Sequence, residues 1–127
     1  MNTLKIFALL LMAAAYIAAG INHFLNPEFY IRIMPPYWGW PAFWVALSGV
    51  AEIVLGLLLL PRATRPYAAW GIIAMLTLFL TVHLHMLVHA DQFANVPYWA
   101  LLARLPLQGL LMLWAAWYTR TESGTTP

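Results

Sequence analysis

Four stretches of this sequence, each about as long as a bilayer is thick, carry almost no charge. They run from about Ile6 to Leu25, Ala42 to Leu60, Tyr67 to His89 and Tyr98 to Tyr118. A spanning helix needs about 20 mostly apolar residues at about 1.5 Å per residue, so each stretch has the required length. The resulting expectation is all-α: an integral membrane antiparallel four-helix bundle. Composition points the same way, because 64% of the 127 residues are hydrophobic and 8% are charged. A soluble domain carries roughly 25% charged residues, and the core of one this small could not hide so much apolar surface. Residues 1–120 read as a single transmembrane domain. The tail at 121–127 lacks an apolar anchor and reads as a disordered cytoplasmic segment.

The first segment has the layout of a secretory signal: Lys5, an apolar run, then Ala18-Ala19-Gly20. Signal cores are roughly 7–15 residues long, and this run continues through Phe24 and Leu25, so it reads as the first membrane helix. With four spans, Lys5, Arg62, Arg65 and Arg120 fall on one side, while Arg32 on the other is offset by Glu28. The positive-inside rule then places both termini in the cytoplasm of a cell whose inner (plasma) membrane holds the chain. Aromatics mark both interfaces. Tyr37, Trp38, Trp40, Phe43, Trp44, Tyr98 and Trp99 lie outside, and Tyr67, Trp70, Trp117 and Tyr118 inside.

The first outer loop predicts a short helix. Asn26 is a suitable N-cap, Pro27 the first helical residue and Glu28 an acid in the first turn. Phe29, Tyr30, Ile31, Ile33 and Met34 follow before Pro35-Pro36 stops the run. An apolar helix of this length lies flat in the interface rather than projecting into water. A membrane-hugging connector is the preferred reading, ahead of a lid over an outward-facing pocket.

Within the spans, two charges stand near mid-membrane depth: Glu52 on the second segment and Arg104 on the fourth. An unpaired charge there costs at least about 2.5–3.5 kcal/mol, so such residues pair, face a cavity or perform a function. Gln108 lies one turn, about 6 Å, inward of Arg104. Asn22, His23 and His85 occupy the outer half of their segments. At 100° per residue, Ser48, Gly49, Glu52 and Gly56 share a face. So do Ala8, Leu11, Ala15, Ala18, Ala19 and Asn22; Gly71, Ala74, Leu78, Thr81, His85 and His89; and Ala100, Arg104, Gln108, Leu111 and Ala115. Each polar group thus rides on small residues, which let membrane helices approach closely. The expectation is a polar centre of Asn22, His23, Glu52, His85, Arg104 and Gln108. In it Glu52 and Arg104 form an ion pair and Gln108 satisfies the remaining hydrogen-bonding capacity. A structural pair and a ligand or proton site are both compatible with this set. His83, nearly opposite His85 around the helix, is expected to face away.

His85 and His89 are spaced i, i+4, which can bring two imidazoles to one metal. With no cysteine in the chain and the nearest carboxylate assigned to Arg104, no metal site is expected, and haem is not expected either. Absence of cysteine also excludes disulfide exchange by this chain, and no basic cluster suggests nucleic acid.

Three motifs in order resemble the DoxX-like small integral membrane proteins. They are Gly20-Ile-Asn-His-Phe-Leu-Asn-Pro-Glu-Phe-Tyr30 with Met34-Pro35-Pro36, Leu47-Ser-Gly-Val-Ala-Glu-Ile-Val-Leu-Gly56, and Arg104-Leu-Pro-Leu-Gln108. The resemblance covers nearly the whole chain. It implies a four-helix membrane bundle with Asn22, His23, Glu52, Arg104 and Gln108 as the family-like polar positions, and assigns no catalytic residue. It further implies a membrane subunit or partner of an oxidoreductase or redox-stress system, with a quinone as the cofactor to consider. Catalysis by the chain itself is not expected. Besides lipid, the expected partner is a redox protein, and a homo-oligomer is compatible. The alternatives are a small proton-coupled transporter using Glu52, or a ligand-free scaffold.

Overall fold

The computed structural model describes residues 1–93 and 95–120, so the tail expected to be disordered lies outside the described residues. The described chain is all-α. Its helices are α1 (Thr3–Leu25), α2 (Pro27–Ile33), α3 (Pro41–Leu58), α4 (Arg65–Val88) and α5 (Tyr98–Ala116), with short 3-10 turns at Pro36–Trp38 and Ala90–Phe93. Four of them, α1, α3, α4 and α5, are long and apolar enough to cross a membrane. They start or stop at most three residues from the limits expected of the four segments.

Local chemistry accounts for the helix ends. Asn2 caps α1, its Oδ1 accepting from the Lys5 N–H at 2.8 Å, which satisfies one of the orphan donors of the first turn. Asn26 closes α1 through its own N–H, bonded to the Asn22 carbonyl at 2.9 Å. Contrary to expectation, its side chain does not cap α2, because its Nδ2 donates to Asn22 Oδ1 at 2.6 Å instead. Pro27 and Glu28 occupy the first turn of α2. At the far end of α3, Arg65 Nε and Nη2 donate to the Leu59 and Leu60 carbonyls at 2.8 and 2.6 Å. Thr64 Oγ1 donates to the Leu58 carbonyl at 2.6 Å. A cation over the final carbonyls also complements the negative end of the helix dipole. Arg65→Leu is therefore expected to lower stability by about 1 kcal/mol, since these are partly exposed charge-assisted bonds. Thermal unfolding in detergent would read this, and an unchanged melting temperature would argue against the capping role.

Gly20 of α1 and Gly49 and Gly56 of α3 bring the two helices into backbone contact. A Cβ added at Gly20 would lie 2.5 Å from the Gly49 carbonyl oxygen and 2.7 Å from Ile53 Cγ1. At Gly56 it would stand 3.0 Å from the Ala13 carbonyl oxygen. Close approach through small residues is how membrane helices gain packing where lipid supplies no hydrophobic drive. Next along the bundle, α3 packs on α4 and α4 on α5, while α2 rests on α3 and α1. The apolar core joins α1 (Leu9, Met12, Tyr16) to α4 (Ile72, Leu76) and to Ala115 and Tyr118. Tyr118 Oη donates to the Lys5 carbonyl at 2.9 Å, tying the end of α5 to the start of α1.

Several expected faces need correction. The α3 stripe is buried at Gly49, Glu52 and Gly56. On α1, however, Leu11, Ala15 and Ala18 are exposed, and Leu9, Met12, Ala13, Tyr16, Gly20 and His23 are buried. On α4 the buried side is Ala68, Ala69, Ile72, Met75, Leu76 and Met86 rather than the stripe containing Ala74 and Leu78. On α5, Gln108 and Ala115 of the expected face are buried, and Leu101 is buried with them. Tyr118, expected in the aromatic belt, is 1% exposed and belongs to the core.

Candidate functional site: a polar cavity between the helices

The close α1–α3 contact sets His23 against α3. His23 Nδ1 lies 3.0 Å from the Val45 carbonyl oxygen and 3.0 Å from Ser48 Oγ, which itself donates to the same carbonyl at 3.0 Å. A carbonyl can only accept, so Nδ1 carries the proton there. The other ring nitrogen, Nε2, faces Glu52 Oε2 at 3.2 Å, and both side chains are 7% exposed. With Nδ1 protonated, that short approach is attractive only if one further proton sits between the two groups. It resides either on the imidazole, as an ion pair, or on the carboxyl, as a neutral pair. Either way the pair is neutral overall, which is what burial of such groups demands. The bond is not well aligned, and Oε2 has no hydrogen-bond partner by geometry.

A cavity of about 250 Å³ opens beside this pair. His23, Ser48 and Glu52 form one wall, Phe79, Val82 and His83 of α4 another, and Arg104 reaches in from α5. Phe29, Tyr30, Ile33 and Met34, at and just after α2, cover it. Tyr30 is fastened in place: its ring lies over His23 with centroids 4.0 Å apart, and its hydroxyl accepts from Asn22 Nδ2 at 2.6 Å. Asn22 thus acts through Tyr30 rather than by lining the cavity.

Arg104 differs from expectation. Among the described residues it has no carboxylate within salt-bridge distance, and Glu52 pairs with His23 instead. The reason is neighbour order: α5 lies mainly against α4, whereas α1 touches α3 directly. Arg104 Nη1 donates to Met86 Sδ at 3.2 Å. A thioether is a weak acceptor, so most of the five guanidinium donors find no protein acceptor among the described residues. Gln108 is committed elsewhere, donating from Nε2 to the Leu76 carbonyl at 2.9 Å and locking α5 to α4.

His85 is not part of the cavity. Its ring stacks on His89 at 4.4 Å, with Tyr37 and Phe93 at its edges, in an aromatic cluster at the end of α4. No group of three His, Cys, Asp or Glu able to hold a metal occurs among the described residues. On α4 the histidine that lines the cavity is His83, whose buried Nδ1 has no hydrogen-bond partner. His83, Tyr30 and Ser48 are the site residues not assigned from the sequence. The available signal was the run of bulky residues Ile72, Leu76, Phe79, His83 and Met86, which recur at helical spacing on one side of α4.

Four helices long and apolar enough to cross a membrane, with a cavity between them that several polar side chains line, point to a multi-pass helical membrane protein. Residues 12–119 match the model of a family described as a domain of unknown function, DUF8561, and the chain belongs to that family. No curated protein and no solved structure matches the chain.

Proposed function

We propose that this protein binds the head group of a quinone-like molecule in its polar cavity and serves as a membrane subunit or partner of an oxidoreductase or redox-stress system. The observation that carries the reading is Arg104, which reaches into the cavity with N–H donors unmet among the described residues. A quinone carbonyl is an acceptor, so that guanidinium would orient the ring. The cavity, at about 250 Å³, is close to the small end of ligand pockets, about 300–1,000 Å³. The resemblance to DoxX-like proteins supports the redox setting. In this reading the four spans are antiparallel in the inner (plasma) membrane and both termini are cytoplasmic. Helix α2 then lies in the outer interface over the cavity.

The test is equilibrium binding of a short-chain benzoquinone to the purified protein in mild detergent. Arg104→Gln should weaken binding about 10–100-fold, the loss expected for a hydrogen bond from a charged donor, while melting shows the variant folded. Equal affinity in wild type and variant, or no quinone binding by wild type, would refute this reading. A second reading, proton-coupled transport through Glu52, draws on the same buried His23–Glu52 pair. Solute-dependent proton flux in liposomes, abolished by Glu52→Gln, would favour it. Neither binding nor flux would leave a scaffold.

A further inference from the structure

A second hollow, about 310 Å³, runs between α3 and α4. Trp44, Leu47, Ala51 and Leu55 form its α3 side, and Gly71, Ala74 and Leu78 its α4 side. Small residues at Ala51, Gly71 and Ala74 keep its floor open. From Trp44 to Leu55 it follows α3 for about 16 Å at 1.5 Å per residue. Its walls are aliphatic and aromatic apart from Ser48, and Ser48 stands where the groove meets the polar cavity. The two hollows share Met34, Ser48, Phe79 and Val82 as walls.

We propose that cavity and groove together form one site for a single-chain amphiphile, with an acceptor head, carbonyl or carboxylate, in the cavity and the apolar chain in the groove. This deepens the ligand-binding reading of the cavity and rests on it. Head chemistry follows from Arg104, whose N–H donors are bonded among the described residues only to a thioether. Glu52 lines this space with a side chain nine-tenths buried, its Oε2 turned to His23 Nε2 at 3.2 Å. The guanidinium offers charge-assisted donors that suit either a carbonyl or a carboxylate head. The chain follows from continuity, because the groove leaves the cavity at its apolar edge and passes along the bundle. Moving a chain from lipid into the groove yields little hydrophobic gain. The groove therefore selects by shape, and blocking it should exclude tailed ligands while sparing tail-less heads.

Two photoreactive probes with a diazirine at mid-chain, one benzoquinone-headed and one carboxylate-headed, would be irradiated with the full chain in lipid nanodiscs. Labelled residues would be located by mass spectrometry. Labelling should concentrate on Leu47, Ala51, Leu55 and Leu78, and fall about tenfold with Ala74→Trp. Binding of the tail-less heads, measured by calorimetry, should be unchanged in that variant. Ala74 lines the groove and is exposed, so an indole there leaves the core undisturbed. Should that variant unfold, Leu78→Trp provides the same block, and the wild-type label map decides without any variant. Labelling spread over lipid-facing leucines such as Leu107, Leu110 and Leu113, or unaffected by the block, overturns the proposal. Tail-less binding would then still uphold the cavity. Groove labelling by the carboxylate probe alone supports the proposal and sinks the quinone reading, and no groove labelling by either probe overturns the proposal.

Discussion

His23→Leu and Glu52→Leu should each lower the unfolding free energy in detergent by about 3–5 kcal/mol, because each leaves its partner buried without a compensating group. The double substitution should recover a substantial part of that loss, since two leucines at the α1–α3 contact need no proton between them. The prediction rests on the 3.2 Å approach of Nε2 to Oε2 and on the low exposure of both side chains. A double-mutant cycle from thermal or denaturant unfolding gives the coupling directly. Losses that simply add would refute the pairing. Glu52→Leu combined with Arg104→Leu supplies the contrast: lacking a direct ion pair, those two changes should come close to additive.

Gly20→Leu should be nearly as damaging. A single Cβ there already falls 2.5 Å from a backbone oxygen of Gly49, and a backbone cannot rotate away as a side chain can. The helices must separate, at a cost at or above the upper end of the roughly 1–3 kcal/mol typical of overpacking. Separation would also withdraw His23 from Val45 and Glu52, so ligand binding should fail together with stability. Gly109 provides the control, as a Cβ there meets nothing within 4 Å. Gly109→Leu should fold and melt like wild type. Similar melting temperatures for Gly20→Leu and wild type would show that the α1–α3 contact is not as tight as described.

The spans were legible because bilayer thickness imposes a length and an apolar composition that few other constraints mimic. Residues Gly49, Glu52 and Gly56 were also assignable, since the charge and the glycines fall on one side of α3. The rotation of α1 was not. Alanines at positions 8, 13, 14, 15, 18 and 19 ring the helix and give no phase, and the buried side is fixed by Gly20 meeting a carbonyl on another helix. On α4 the small residues misled. Gly71 and Ala74 border a groove, while the core takes the bulky Ile72, Met75 and Leu76. That half-turn exchanged His85 for His83. The partner of Glu52 was beyond reach for a different reason. Residue depth can be counted along a segment, but which helix stands beside which depends on contacts between segments distant in the chain.

Helix α2 is held over the cavity by Tyr30, which stacks on His23 of the buried pair and accepts from Asn22 on the same helix as His23. Cover and proton-holding pair are therefore mechanically one part. Any outward swing of α2 strips an aromatic face from the imidazole and admits a medium of higher permittivity to the carboxyl beneath it. In the proposed ligand-binding reading, opening of the cavity and a change in the surroundings of its proton would be a single event, and the mouth and the charge behind it would keep the same clock.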